Sequence, residues 1–247
     1  MEIRVYTFKN LRGVSSVRES VNFDLLGSPW IYTVQKDGWD NALLKSTVCL
    51  YKKKDFIIQS GEIIECLYYL KKGRIKTVAV SPSGQQKIMW YINASCIFGE
   101  TPFFNQKPCD YNFVAVTDCE IHILSKDILF QEVIPKYPEL VISLLTTMSL
   151  KIHILSTQVE DLAFNKPIIR VAKLLYQFYQ GNNLKIKKGT AVIPITQEDI
   201  AGILGIHRVT VNQIIRYLKE IQALEDNTHL IIVKNIKKLQ EVFSQLS

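Results

Sequence analysis

Cysteine is sparse in this chain: there are five in 247 residues, and no two are close enough for a CxxC or zinc-ligand pair. An odd, scattered set fits a reducing compartment better than a disulfide framework. Long apolar runs are missing too. None approaches the ~20 residues that span a bilayer, and the opening MEIRVYTFKN has no apolar core of signal-peptide length. The expectation is a cytoplasmic protein with no membrane partner. There is no P-loop, GxSxG or HExxH, and the four histidines form no pair with a carboxylate at metal-site spacing. The sequence therefore points away from an enzyme, a metal site or a bound cofactor.

Acidic residues are thin at one end only. Residues 166–247 hold 12 Lys and Arg against 6 Asp and Glu, whereas residues 1–165 hold 18 against 17. Nearly all of the net charge of +7 thus lies in the last third, as it would if one part met a polyanion and the other did not. The length accommodates two such domains, each with its own core.

The most restricted stretch is QEDIAGILGIHRVTVNQI, residues 197–214. Two helices that cross steeply through a tight turn need a tiny residue at their contact and one tolerant of positive φ at the turn, and Ala201 and Gly205 stand there. Ile200, Leu204, Ile206, Val211 and Ile214 fall at the spacing of a shared core. Thr196 and Asp199 read as a capping box, and His207 or Arg208 opens the second helix. Any two short amphipathic helices joined by glycine look partly like this, but the joint match of Ala, Gly and five apolar positions reads as a helix-turn-helix whose second helix enters the major groove.

Upstream, residues 47–125 break into short β-rich runs punctuated by glycines at 61, 73, 84 and 99, which predicts an antiparallel barrel or roll with SPSG at 81–84 as a hairpin turn. Before them, WIYTV reads as a strand and GWDNALLK as a short helix, and residues 1 to about 45 carry no chemistry that can be named. From Pro138 the period changes. Val141, Leu145, Met148, Ile152, Leu155, Val159 and Leu162 alternate steps of four and three, an a/d seam that predicts a parallel homodimer. Part of that stripe is expected to pack on its own domain. Asn165 and Pro167 end this helix and start the next, PIIRVAKLLYQFYQ. LKIKKGTAVIPI then reads as a hairpin, and HLIIVKNIKKLQEVF as a closing strand and last helix, giving a winged helix-turn-helix.

The order β-roll, long dimerising helix, winged helix-turn-helix resembles the CRP/FNR family of bacterial transcription regulators over about residues 47–243. Its most specific parts are FGE at 98–100, the seam leading into EDLAF, and ITQEDIAGILGIHRVTVNQI, whose GIHRVTV portion is similar to the branch that senses halogenated aromatics. The resemblance implies an α+β fold: a jelly-roll, cyclic-nucleotide-binding-like sensor over 1–137, a dimerisation helix and hinge over 138–165, and the winged helix-turn-helix over 166–247. It implies an effector pocket between roll and long helix whose filling swings the DNA-binding domains into register. The implied partners are double-stranded DNA, a second copy of the chain, RNA polymerase and a small-molecule effector.

Cyclic-nucleotide sensors of this family follow their Gly-Glu with an Arg-Ser pair about ten residues on. Glu100 is present here, but Asp110 and Tyr111 stand in place of the pair, and Lys107 could substitute only in a rearranged loop. A carboxylate there repels a phosphate, so cAMP is not the expected effector. Iron–sulfur members use closely spaced N-terminal cysteines, and none precedes Cys49. A haem ligand would have to be His122 or His153, and a lone histidine on a strand or amphipathic helix is more often structural. The aromatics Trp90, Tyr91, Phe98, Phe103, Phe104, Tyr111 and Phe113 are core residues in part, yet such a wall also suits a flat apolar ligand bearing a phenol or carboxylate. The expected anchors are Lys87, Tyr91 and Asn93, with Phe98, Gly99, Glu100 and Tyr111 completing the pocket. The alternative on the same fold is a thiol redox switch at Cys66, Cys96, Cys109 or Cys119.

Carried over residue by residue, the family pattern puts His207, Arg208, Val209, Asn212 and Gln213 at the bases, with Thr196 also at the DNA. Arg208 can take guanine or a phosphate, and Gln213 can pair with adenine. Val209 replaces a glutamate typical of nucleotide- and oxygen-sensing members and packs on a thymine methyl, so the half-site is expected to be AT-rich and inverted-repeat.

Overall fold

The computed structural model describes residues 39–180, 190–193, 195–225 and 231–244 in full, and 31–32 and 186–187 as backbone. Two sheets face each other across one core. One orders β1 (Ile31–Tyr32), β6 (Gln86–Asn93), β5 (Arg74–Val80), β8 (Asn112–Ala115) and β3 (Phe56–Ile58). The other orders β2 (Thr47–Tyr51), β9 (Cys119–Ser125), β4 (Cys66–Lys72) and β7 (Cys96–Phe98). β1 runs parallel to β6, and the remaining pairs are antiparallel. Inward residues such as Ile58, Leu67, Leu70, Ile75, Ile92, Phe98 and Ile121 are fully buried between the sheets. The SPSG turn forms, with the Gly84 N–H donating to Ser81 O at 2.8 Å. Between β4 and β5 only glycine fits: Gly73 has φ +97°, and a Cβ there would lie 2.4 Å from Asp118 O. Of the WIYTV strand only Ile31 and Tyr32 lie among the described residues. GWDNALLK forms a 3-10 turn over Trp39–Lys45.

Gly99 leads into α1 (Glu100–Asn105), a short helix the sequence reading did not anticipate. A π turn, Ile128–Val133, and α2 (Ile134–Lys136) then bring the chain to α3 (Leu140–Phe164). Leu140, Leu144, Leu150 and Ile154 on α3 join the roll's core, and the Trp39 indole N–H donates to Ser143 Oγ at 3.0 Å. By length and mean hydropathy α3 is apolar enough to cross a membrane, although Ser143, Thr147, Lys151 and Gln158 interrupt any continuous apolar run. The physical reason is that both of its sides are apolar for different purposes. One side packs on the roll with Ser143, Thr147, Lys151 and Gln158 buried among the aliphatics, and the other carries the seam.

The DNA-binding end comprises α4 (Pro167–Gln180), β10 (Ile186–Lys187), β11 (Thr190–Ile193), α5 (Gln197–Leu204), α6 (Arg208–Glu220), β12 (Ile231–Val233) and α7 (Ile236–Ser244). β10, β11 and β12 form an antiparallel three-stranded wing, as expected. Val171, Leu175, Ile200, Ile203, Leu204, Val211, Ile215, Leu218 and Leu239 form its core. That core also takes in Val78 and Ile88 of the roll, a contact no local sequence pattern announces.

Candidate DNA interface and effector recess

α5 begins at a complete capping box: Thr196 Oγ1 accepts from the Asp199 N–H at 3.0 Å, and Asp199 Oδ2 accepts from the Thr196 N–H at 3.1 Å. It ends at Gly205, whose φ of +62° turns the chain toward His207, the N-cap of α6. Buried Val211, Ile214, Ile215 and Leu218 hold one side of α6 inward. This leaves His207, Arg208, Val209, Asn212 and Gln213 together on the exposed side, and Thr196 is exposed at the entrance to α5. Arg216 and Tyr217 prolong the same exposed stripe, and the period of the helix would have found them. Arg216 lies 3.8 Å from Glu220, a loose pair on an exposed surface. The side chains of Lys187 and Lys188 lie outside the described residues.

In the sensor, a recess is lined by Trp90, Gly99, Glu100, Asp110, Tyr111 and Lys151, among others. At its base the Lys151 ammonium donates to Glu100 Oε1 at 2.5 Å, with the two side chains only 7% and 2% exposed. The same ammonium stands 5.7 Å from the Trp90 ring centroid, within cation–π range. Among the described residues, Glu100 Oε2 and Trp90 Nε1 are buried without a hydrogen-bond partner. A buried acceptor and a buried donor at one recess are costly unless something else satisfies them. Burial pushes the Tyr111 phenol up, and the charges of Asp110 and Cys109 add to it. The ion pair ties α1 to α3 across 51 residues, and sequence offered only a lysine in an apolar helix as its signal.

Of the expected pocket residues, Gly99, Glu100 and Tyr111 line this recess, whereas Lys87, Tyr91, Asn93 and Phe98 do not. Lys87 donates to Ile203 O of α5 at 3.1 Å, and Tyr91 packs against the DNA-binding core. Asn93 accepts from Arg74 Nε at 2.7 Å, and Phe98 is buried against Tyr68 and Phe113. Tyr91 and Asn93 alternate with Trp90 along β6 and so face its other side. Beyond Trp90, pairing with β5 passes from Thr77–Trp90 to Val78–Ile88, so Met89 is an extra, bulged residue, and Lys87 and Ile88 meet α5 instead.

None of the five cysteines is joined in a disulfide. Cys96, Cys109 and Cys119 are buried, and desolvation pushes the thiols of Cys66, Cys109 and Cys119 up, against thiolate formation. His122 Nδ1 is 2.7 Å from Ser46 Oγ, and His153 is exposed.

Two family models match: "Cyclic nucleotide-binding domain" over residues 48–134 and "Crp-like helix-turn-helix domain" over 169–242. The chain is 27% identical over 184 residues to the cAMP-activated global transcriptional regulator CRP of Salmonella typhimurium, covering 74% of this chain and 87% of that protein. Its fold is that of OCPA-complexed CprK, with a TM-score of 0.66 at 23% identity, covering 83% of this chain and 94% of the other. It is also that of the c-di-GMP-responsive regulator CLP of Xanthomonas campestris, with a TM-score of 0.72 at 17% identity, covering 77% and 95%. With a sensor roll, a long helix and a helix-turn-helix in this order, the chain is a transcription regulator of the CRP/FNR type.

Proposed function

We propose that the protein is a homodimer joined through α3, reads an AT-rich inverted repeat with α6, and is controlled by a small aromatic or otherwise apolar effector at the recess. The supporting observation is the double use of α3. Val141, Leu145, Met148, Ile152, Val159 and Leu162 are all exposed along one stripe, while the opposite side inserts Lys151 into the recess. A molecule that meets Glu100 and Lys151 therefore acts on the helix that carries the seam. Leu155 is an exception, because it also packs on the roll's core. The organisation we propose is a sensor over 1–137, a dimerisation helix and hinge over 138–165, and a reader over 166–247.

The recess chemistry supports an effector other than cAMP. Glu100 and Asp110 are two carboxylates at one recess, and Glu100 already engages Lys151, so a phosphate finds repulsion. A ligand with an aromatic body and a group that both donates and accepts matches the unpartnered Glu100 Oε2 and Trp90 Nε1. CprK, of the same fold, is known complexed with OCPA, and the GIHRVTV helix is similar to the halogenated-aromatic-sensing branch, so this class is the first to test. Cytoplasmic location and an RNA polymerase contact belong to the same reading. The thiol-switch alternative has less support, since its buried thiols are held in the neutral form.

Native mass spectrometry of the purified protein tests the reading directly. A dimer mass with a bound small molecule of aromatic character is expected. Ile152→Glu, at a seam site 62% exposed and so harmless to the fold, should sediment as a monomer. Persistence of the dimer in that variant, or micromolar cAMP binding by calorimetry, would overturn the assignment.

A further inference from the structure

The first helix of the reader is docked on the sensor. α5 lies against β6, and Val78 and Ile88 of the roll, each 4% exposed, belong to the same buried cluster as Ile200, Ile203 and Leu204. Lys87 Nζ donates to Ile203 O at 3.1 Å, and Arg170 Nη1 of α4 donates to Leu204 O at 3.4 Å. Both carbonyls belong to the last turn of α5, where intrahelical donors run out and the helix dipole favours a cation. At the other end of α5, the Asp199 charge adds to burial in pushing the Tyr91 phenol up, which places that carboxylate near β6 as well.

Gly202 is the trace of this contact in the sequence. It lies inside α5, where glycine is a poor choice for the helix itself. A Cβ there would stand 3.3 Å from Ile88 Cδ1, tighter than ordinary contact. The β6 bulge adds a third link, because the Met89 carbonyl accepts from Gln158 Nε2 of α3 at 2.7 Å. Four consecutive residues thus meet different elements: Lys87 and Ile88 meet α5, Met89 meets α3, and Trp90 lines the recess.

We propose that residues 87–89 of β6 fix the orientation of the helix-turn-helix on the sensor, with Lys87 as a positioning residue acting through Ile203 and Gly202 as the point of close approach. The exposed stripe of α6 stays open while α5 is held, so the contact sets where the reader points without covering it. A molecule bound against Trp90 pushes on the same bulge, and this last step alone rests on the recess being the effector site.

Hydrogen exchange of the full chain, with no ligand added, tests the docking from both sides. Lys87→Met keeps the aliphatic stem and removes the donor. It should speed exchange in α5 at least fivefold although the change is in the roll, and Lys87→Arg should restore slow exchange there. Gly202→Leu should speed exchange in β6 although the change is in the reader. Amides of α4 and β9 serve as controls that each domain remains folded. If Gly202→Leu unfolds its own domain, α4 loses protection and Lys87→Met alone decides. Unchanged exchange in α5 of Lys87→Met, with controls protected, overturns the proposal. Because no ligand enters, a failure of the effector reading leaves the result intact.

Discussion

Replacing Lys151 by methionine is the sharpest test of the recess. The aliphatic stem is retained, while the ammonium is lost and with it the cation–π contact over Trp90. Glu100, 1% exposed, would then keep a buried carboxylate with neither oxygen paired, since Oε2 already has no partner among the described residues. Breaking a buried pair from one side costs about 3–5 kcal/mol, far more than the ~0–1 kcal/mol of an exposed pair. With a urea slope of about 2 kcal/mol per molar, the unfolding midpoint should fall by roughly 2 M. Removing both charges in Glu100→Leu/Lys151→Met should recover most of the loss, because two desolvation penalties disappear with the attraction. Equilibrium urea unfolding of wild type, both single variants and the double variant gives the coupling directly. A Lys151→Met protein within ~1 kcal/mol of wild type, or a double variant whose losses simply add, would refute the reasoning.

Other outcomes follow from particular contacts. Thr196→Ala removes the capping hydroxyl of α5 and should cost about 0.5–2 kcal/mol in thermal unfolding, whereas Thr196→Ser should be nearly neutral. Gln213→Ala should lose ~1–3 kcal/mol at one base pair and relax preference there, and selection from random DNA should return an AT-rich inverted repeat with half-site centres ~10 bp apart. A GC-rich or asymmetric consensus would be incompatible with Val209 and Gln213 at the bases. Burial, reinforced by the Arg170 charge, pulls Lys87 down to about 8. A folded value below the unfolded ~10.4 means that burying the charge costs stability even though the donor is satisfied, so the contribution of Lys87 grows as pH rises from ~8 to ~10.5, by at most ~1.4 kcal/mol per unit. The stability difference between wild type and Lys87→Met should therefore move in favour of wild type between about pH 7.5 and 9.5. A flat or opposite trend in urea titrations would count against the buried amine facing Arg170 and the Ile203 carbonyl.

Local chemistry made the reader legible from sequence. The capping box, Gly205 and the apolar spacing of Ile200, Leu204, Val211 and Ile214 are each set by helix geometry over a few residues, and all appear where the pattern put them. The apolar stripe of α3 was legible for the same reason, since a period of 3.5 is a property of one helix, and all of it but the half-buried Leu155 lies on the exposed side. The recess was legible only in part. Gly99 and Glu100 followed from a motif, but Lys151 comes from another element, and nothing in the spacing couples positions 51 residues apart. Lys87, Tyr91 and Asn93 lie away from the recess: Tyr91 and Asn93 alternate with Trp90 and face the other side of β6, and Lys87 reaches Ile203 O of α5 through a contact between elements that no local pattern announces. Sequence by itself determined the elements and their faces. Only the tertiary structure decided which faces meet, because burial of Ile88 against Gly202 is a bargain struck between two domains rather than within either.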